Sequence, residues 1–371
     1  MAVLNDEQTM LRDMARNWAR DESPVSAFRK MRDSKLPQGF DPDAWSAVAE
    51  MGWAGIIIPE NYGGSDFGFL SLGLVVEELG KSLAATPLTA TSLAASALVL
   101  GGSDAQKLMW LPQLADGSLV GTLAVDEGPR HAPANVDTTA QANADGWLLN
   151  GTKMFVPEGN GAGLLVVAAK TDDAVELFLV PADAAGVERS QRAMADSRGH
   201  AQIAFKNVQL PTDAKISGAV SGASLLDALL DRARILTSAE MLGMAVGAFE
   251  MTLDYMKVRV QFGQTIGSFQ ALQHRAAELF TQIELARSAV EAALEAVDAR
   301  RLDLDQMASM AKAVASDTIH LVSRETIQLH GGIGMTDEHE AGFFIKRARV
   351  LENSWGNAAY HRERFARLNG Y

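Results

Sequence analysis

Hydrophobic positions recur with a helical period in the last third of the chain. Apolar residues step by four and three between about residues 270 and 295, which predicts one apolar face along a helix of several turns. This face consists of Leu272, Ala276, Leu279, Ile283, Ala286, Val290 and Leu294. A second face follows a break at residues 301–305 and consists of Met307, Met310, Val314 and Leu321. The two helices are predicted to form an antiparallel pair within a helical bundle.

The N-terminal segment is also predicted to be helical. Asn5 stands three residues before Gln8, which is the spacing of a capping box, and Pro24 is expected beyond the end of the helix. The predicted apolar face of this helix consists of Met10, Leu11, Met14 and Trp18.

Short apolar runs replace the helical pattern between about residues 121 and 211. The runs at 138–141, 147–149, 164–168 and 176–180 are typical of strands. Asp145-Gly146 and Asn150-Gly151 are dipeptides of tight hairpin turns, and the glycine-rich segment 159–163 is predicted to be a hairpin connection because a strand, not a helix, follows it. The predicted order is helices, antiparallel sheet, helices.

Composition sharpens this division and excludes several functions. All 11 prolines lie at or before Pro211, so the last 160 residues (371 − 211) favour long helices. The formal net charge of −13 argues against nucleic acid and against an anionic membrane surface as partners. The absence of cysteine excludes disulfides, thiolate metal sites and a cysteine nucleophile. The seven histidines show no zinc-hydrolase spacing, so no metal site is expected. No signal peptide or membrane span is predicted, and we expect a cytoplasmic protein.

Four passages, spread over most of the chain, resemble acyl-CoA dehydrogenases in family order and spacing. The first runs from Gly52-Trp53-Ala54-Gly55 through Pro59-Glu60-Asn61-Tyr62-Gly63-Gly64 to Glu77-Glu78-Leu79-Gly80. The second is Leu149-Asn150-Gly151-Thr152-Lys153-Met154-Phe155, with Phe205-Lys206-Asn207-Val208 as an exit strand. The third is Arg259-Val260-Gln261-Phe262-Gly263 with Phe269-Gln270, and the fourth is Gln328-Leu329-His330-Gly331-Gly332-Ile333-Gly334-Met335.

The resemblance implies an α+β fold with three domains. These are an N-terminal helical domain at 1–120, a middle antiparallel β-domain at 121–218, and a C-terminal four-helix-type bundle at 219–371 that builds the oligomer. It also implies FAD as cofactor and an acyl-CoA thioester as substrate. The expected flavin-contact residues are Arg259, Gln261, Phe262, Gln270, Gln328, Gly331, Gly332 and Phe155.

The third and fourth passages suit FAD chemically. Arg259 offers a planar cation to the diphosphate, the glutamines offer amides, and Gly331 and Gly332 allow backbone N–H groups to approach an anion closely. In the family, these segments reach across a subunit interface to the neighbour's flavin. The simpler alternative is that Arg259 forms a surface ion pair and that the glycines only end a helix.

Both positions where the family keeps its catalytic base lack a carboxylate. The usual Glu-Gly step aligns with Trp355-Gly356, and the alternative position, one residue before Arg234, is Ala233. Neither indole nor a methyl group can remove an α-proton. Glu352 and Asp231 are the nearby carboxylates, and either would need an altered backbone to serve, so the catalytic residue is unknown from the sequence.

The β-domain also departs from the family pattern. Hydroxyls expected near the flavin are replaced at Asp126 and Ala132, and a threonine that would face the reactive edge of the flavin aligns with Pro157. Proline offers neither a hydroxyl nor an N–H group. The aromatic residue at Phe155 is kept.

Three functional hypotheses follow. The main one is an acyl-CoA dehydrogenase that transfers hydride to FAD, in fatty-acid or steroid side-chain catabolism. The alternative is a subunit without a base in a heterotetramer with a related chain, where it completes its partner's FAD site. A third is a structural or binding protein on the same fold without flavin. The asymmetric loss of the chain's own flavin contacts favours the second over an active homo-oligomer, and the retained interface motifs count against the third.

Overall fold

The computed structural model describes residues 3–172, 174–218 and 220–371. The chain divides into two compact units, each built from separate stretches of sequence. The helical unit consists of Met1–Arg29, Phe69–Ala84 and Arg234–Tyr371, and the sheet unit consists of Lys30–Gly68 and Ala85–Ala233. The three predicted domain boundaries remain a prediction, and the residues Met1, Ala2 and Ala219 at their ends lie outside the described residues.

Long helices dominate the segment without proline, as predicted. The helices of the described residues are α1 (Asp6–Asp21), α2 (Val25–Ser34), α3 (Pro42–Glu50), α4 (Gly68–Lys81), α5 (Leu88–Gly101), α6 (Asp104–Ala115), α7 (Gly222–Val258), α8 (Gln270–Asp298), α9 (Leu304–His330), α10 (Ala341–Asn353) and α11 (Ala358–Leu368). None of these is both long and apolar enough to cross a bilayer.

The sheet unit is built on seven strands. They are β1 (Gly121–Ala124), β2 (Thr139–Asn143), β3 (Gly146–Val156), β4 (Leu164–Lys170), β5 (Val175–Pro181), β6 (Val187–Gln191) and β7 (Ala201–Leu210). Their order is β1-β4-β2-β3-β7-β6, with β5 also paired to β4. Most pairs are antiparallel, and β1 lies parallel to β4. The alternating inner residues of β3, β4, β5 and β7 form one buried apolar core.

Two predicted turns in this unit differ from the structure. Asp145-Gly146 lies at the tight β2–β3 hairpin as predicted, but Asn150-Gly151 lies within β3 at a register shift. Gly151 has φ +149, and a Cβ there would meet Thr138, so the dipeptide serves a bulge instead of a turn. The segment 159–163 leads into a strand as predicted, but β3 and β4 are not neighbours, so it is not a hairpin connection.

The helix start at Asn5 is confirmed, but the predicted face of α1 is only partly right. Asn5 and Gln8 form the capping box. Leu11 and Trp18 are half-buried, whereas Met10 and Met14 are 62% and 46% exposed. The fully buried residues of α1 are Ala15 and Ala19, small residues that hydropathy alone does not distinguish from neutral surface positions.

The bundle helices show the same effect. Most of the predicted face of α8 is buried, namely Leu279, Ile283, Ala286, Val290 and Leu294, whereas Leu272 and Ala276 near its start are half-buried. The predicted face of α9 is wrong, because Met307, Met310, Val314 and Leu321 are only half-buried. The buried face of α9 contains Ala308, Ala311, Ala315, Ile319 and Val322. α8 and α9 do pack along one another in the helical unit, as predicted.

Candidate functional site

A short exposed hairpin follows α7 and carries three of the predicted flavin-contact residues. Its strands are β8 (Val260–Gln261) and β9 (Gln264–Thr265), and its central residues Phe262 and Gly263 have φ +52 and φ +79, the left-handed backbone that a tight hairpin requires. Phe262 is 91% exposed. Arg259 is exposed at the base of the hairpin, and within the described residues its guanidinium has no hydrogen-bond or ion-pair partner. The surface ion pair considered for Arg259 is therefore not formed with any residue that the structure describes.

The remaining predicted residues of the helical unit lie at helix ends. Gln270 is the first residue of α8, and Gln328 is in the last turn of α9; both are exposed. Gly331 has φ +63, and a Cβ at Gly331 or Gly332 would meet no atom within 4 Å. Their backbones therefore border open space, where a ligand could approach.

Ring stacking brings the ends of α7 and α9 together. The rings of Tyr255, in the last turn of α7, and His330, the last residue of α9, have centroids 4.4 Å apart. Arg259 follows Tyr255 by about one turn, and Gly331 follows His330 directly. The third and fourth sequence passages therefore meet at one end of the helical unit, where they expose a cation, amides and glycine backbone.

Trp355, which the sequence analysis aligned with the family's usual base, occupies the loop between α10 and α11. The residue is 7% exposed and has a left-handed backbone, with φ +58. Its carbonyl oxygen accepts a hydrogen bond from Nε of Arg234 at 3.4 Å and lies 3.0 Å from Nε2 of His361. The loop is thus held through its backbone, while its side chain is a buried indole.

A buried lysine completes this loop, and we did not single it out from the sequence. Nζ of Lys312 donates to the carbonyl oxygens of Leu351 at 3.1 Å, Glu352 at 3.3 Å and Gly356 at 3.0 Å. Burial lowers the pKa of Lys312 to about 7. Burial and the nearby cations of Arg234 and Lys312 lower the pKa of His361 to about 2. In the sequence, Lys312 is a charged residue within an alanine-rich stretch of a predicted helix, and this pattern could have indicated a buried lysine.

The two carboxylates considered as displaced bases are both otherwise placed. Glu352 accepts hydrogen bonds from Nη1 of Arg349 at 2.7 and 3.0 Å and lies 3.2 Å from Nδ1 of His320. Asp231 is 5% exposed within α7. Neither lies in the loop of Trp355, between α10 and α11.

In the sheet unit, Asp126 and Glu127 have partners within the protein. Nδ1 of His131 lies 2.9 Å from a carboxylate oxygen of Asp126. Glu127 lies 2.5 Å from Nζ of the buried Lys153 and accepts the N–H of Thr138 at 3.0 Å. Burial acts to raise the pKa of Glu127, but the hydrogen bonds from Lys153 and Thr138 outweigh it and lower that pKa. Burial lowers the pKa of Lys153.

Phe155 and Pro157 lie at the end of β3, in the sheet unit. Phe155 is half-buried with φ +53, at a register shift between β3 and β7. The carbonyl of Pro157 accepts a hydrogen bond from the hydroxyl of Thr122 at 2.6 Å. Position 157 therefore offers no free donor, in agreement with the sequence prediction.

Comparison with known proteins covers nearly the whole chain. Family models for the N-terminal, middle and C-terminal domains of acyl-CoA dehydrogenase match residues 5–118, 125–210 and 221–368. The chain belongs to the acyl-CoA dehydrogenase family. The family and the fold predicted from the sequence are confirmed. Acyl-CoA dehydrogenases are FAD-dependent oxidoreductases, and this assignment covers the chain as a family member.

Individual relatives are similar over their full length. The probable acyl-CoA dehydrogenase YngJ of Bacillus subtilis is 31% identical, with 98% of each chain covered. A chain of the Tcur3481-Tcur3483 steroid ACAD is 31% identical with a TM-score of 0.90, again with 98% of each chain covered. A chain of the ChsE4-ChsE5 complex from Mycobacterium tuberculosis is 25% identical with a TM-score of 0.92, with 100% of both chains covered.

The residues of the two units fit FAD unequally. In the helical unit, the exposed guanidinium of Arg259 and the open backbone at Gly331 and Gly332 are donors suited to a diphosphate. In the sheet unit, Asp126 presents a carboxylate and Pro157 no donor where hydroxyls are expected.

Proposed function

We propose that this chain is a subunit of an acyl-CoA dehydrogenase assembly in which it completes the FAD site of a neighbouring, related subunit. The assembly removes the α-proton and the β-hydride of an acyl-CoA thioester. The observation that carries this proposal is a contrast between two residues. Arg259 is exposed and has no partner among the described residues, whereas position 355, where we expect the family's base, holds a buried indole.

Each retained residue has a proposed role toward that neighbouring flavin. The guanidinium of Arg259 pairs with the diphosphate, and the backbone at Gly331 and Gly332 approaches it without a Cβ in the way. Exposed amides and rings supply the other contacts, from Gln261, Gln270, Gln328 and Phe262, with Phe155 as the aromatic residue of the sheet unit. When bound, FAD accepts the hydride of the reaction.

The catalytic base is proposed to lie on the partner chain. Trp355 and Ala233 leave this chain without a carboxylate at either family position, and Glu352 is engaged by Arg349. The similarity to chains of the ChsE4-ChsE5 and Tcur3481-Tcur3483 complexes supports a heterotetramer of two related chains. We place the assembly in the cytoplasm, and the matched segments support domain boundaries near residues 120 and 218.

A self-sufficient homo-oligomer is the second candidate, favoured by the intact backbone frame around position 355. Arg234, His361 and Lys312 contact backbone oxygens of the loop and fix its backbone. A loop that carries a catalytic base would need its backbone fixed in the same way. This candidate requires a displaced carboxylate to act on the substrate.

Flavin content separates the two candidates. The chain is purified alone and after co-expression with each related chain encoded beside it, and the flavin absorbance per mole of protein is measured. We expect little flavin in the chain alone and about one FAD for each pair of chains in the mixed assembly. A chain that alone binds FAD stoichiometrically and oxidises acyl-CoA thioesters would contradict the proposal.

A further inference from the structure

Three aromatic rings cluster where α7 and α9 end, and two of them are imidazoles. The ring of His330 stacks on Tyr255 at 4.4 Å and contacts the tilted ring of His339 at 4.3 Å, both measured between centroids. His330 ends α9, and His339 lies near the end of the loop 331–340 that leads to α10. The loop is therefore bounded at both ends by histidines whose rings touch one another.

The hydrogen bonds fix which ring nitrogen can take a proton. Nδ1 of His330 lies 2.7 Å from the carbonyl oxygen of Thr326, so Nδ1 carries the hydrogen. Nε2 of His330 is buried and has no partner in the described structure, in a residue that is only 3% exposed. Nδ1 of His339 accepts the N–H of Ala341 at 3.1 Å, so its hydrogen is on Nε2. Both rings are neutral in this arrangement.

A proton added to His330 would create an unsatisfied, charged N–H group in a buried position. Such a group costs more than an unpaired neutral donor, because charge is also desolvated. A proton added to His339 at Nδ1 would break the hydrogen bond from Ala341 and set two donors against each other. A proton on either histidine therefore destabilises the closed arrangement of the two rings.

The charged groups around the pair act in both directions. From α2, Nη1 of Arg29 donates to the carbonyl oxygen of Asp337 at 2.6 Å, and Nη2 donates to that of Glu338 at 3.2 Å. Burial lowers the pKa of His339, with Glu340 opposing and Arg29 adding to the effect. Burial also lowers the pKa of His330, opposed by the hydrogen bond to Thr326 and assisted by His339. On α10, Nζ of Lys346 lies 6.0 Å from the centroid of the Phe343 ring, and the guanidinium of Arg29 lies 4.6 Å from the same centroid.

We propose that His330 and His339 form a pH-sensitive latch that holds the loop 331–340 closed while both imidazoles are neutral and releases it in acid. Because the loop carries Gly331 and Gly332, release would also weaken flavin retention; this consequence rests on the function proposed above. The ligand whose retention is regulated is the flavin diphosphate of the neighbouring subunit.

The direction of the pH effect follows from the proton balance. The closed loop binds fewer protons than the open loop, because both pKa values lie below the ordinary value of 6.5. The closed state is fully favoured above about pH 6.5 and loses ground as the pH falls further. Each histidine can change the ratio of open to closed loop by at most about tenfold per pH unit, and the pair by about a hundredfold.

Hydrogen exchange of the full-length chain tests the latch. The reporter amides are those of Thr336, Ala341 and Phe343, which donate to Ile333, His339 and Glu340. Wild type is compared at equal pH with the double variant His330→Asn/His339→Asn, whose amides can keep both hydrogen bonds but cannot titrate. His274→Asn, at an exposed position of α8, is the matched control.

We expect the protection of residues 331–343, corrected for intrinsic exchange, to fall at least about tenfold between pH 7.5 and 5.5 in wild type and in the control, and to stay constant in the double variant. Protection that does not change with pH in wild type overturns the proposal, as does the same acid step in the double variant. If the double variant loses its helical circular dichroism, His339→Asn alone takes its place and must reduce the step.

Flavin release from the mixed assembly distinguishes failure of the latch from failure of the proposed function. If no assembly retains FAD at any pH, the proposed function fails while the exchange result still decides the latch. If FAD is retained and the loop stays protected at about pH 5.5, below the ordinary histidine pKa, the latch fails and the proposed function stands.

Discussion

Trp355 allows the missing-base hypothesis to be tested by a pair of substitutions of nearly equal size. Trp355→Glu places a carboxylate on the left-handed backbone that the loop already adopts, and Trp355→Gln places an amide there. Arg234 and His361 contact the backbone carbonyl at this position, and Lys312 contacts the next one. These contacts are made to backbone oxygens, so a carboxylate introduced at position 355 should be presented on the same frame.

The loss of packing should be the same in both variants. Trp355 is 7% exposed, and truncation of a buried tryptophan costs roughly 3–5 kcal/mol of folding free energy. Both variants should therefore unfold at lower denaturant concentration by a similar amount. The difference in turnover between them isolates the carboxylate, whose contribution as a general base is typically about 10²- to 10⁴-fold, or roughly 3–5 kcal/mol of activation free energy.

We expect no rescue in the homo-oligomer, because Asp126, Ala132 and Pro157 remove hydroxyls expected beside the chain's own flavin. The assay is acyl-CoA-dependent reduction of an artificial electron acceptor, with FAD added and several acyl lengths tested. Turnover of the two variants should agree within about twofold. A hundredfold advantage of Trp355→Glu over Trp355→Gln would show that the chain keeps a usable flavin and thioester pocket. Robust turnover by the wild-type chain alone would refute the hypothesis and return attention to Glu352.

Three further outcomes are expected. Arg259→Ala should weaken FAD binding by the mixed assembly by roughly 2–4 kcal/mol, because the diphosphate loses its cation. Arg367→Ala, at an exposed position, is the control and should leave the flavin content unchanged. If FAD titrates the Arg259→Ala assembly and the wild-type assembly equally, Arg259 does not have this role. Burial lowers the pKa of Lys312 to about 7, so above that pH the unfolded chain binds more protons than the folded chain. The free energy of unfolding, measured by chemical denaturation, should therefore rise by about 2 kcal/mol between about pH 7.5 and 9. Lys312→Met should lack this rise. Arg198→Met removes the guanidinium that lies 2.8 Å from the buried carboxylate of Glu158, so the free energy of unfolding should fall by about 3–5 kcal/mol in chemical denaturation. The double variant Arg198→Met/Glu158→Leu should recover a large part of that loss.

The sequence predicted correctly those structural elements that depend only on residues close together in the chain. The capping box at Asn5 depends on a spacing of three residues, and the long helices depend on the absence of proline after Pro211; both are properties of the chain itself. The hairpin at Asp145-Gly146 likewise follows from the backbone freedom of two residues. The family motifs added the fold, because four short passages in one order fix an architecture that periodicity alone leaves open.

The tertiary structure decided which faces are buried and which polar groups are paired. Alanines such as Ala15 and Ala311 are buried where larger apolar residues were expected, because close helix packing selects for small side chains and hydropathy does not register this. Asn150-Gly151 became a bulge because β7 pairs along that strand, a contact about fifty residues away in sequence. The convergence of Lys312 on the loop of Trp355 depends on where α9 passes the end of α10. The sequence by itself determined the family and the absence of carboxylates at positions 233 and 355, because both depend on residue identity alone. Long-range packing decided which charged groups are buried and which, like Arg259, have no partner among the described residues.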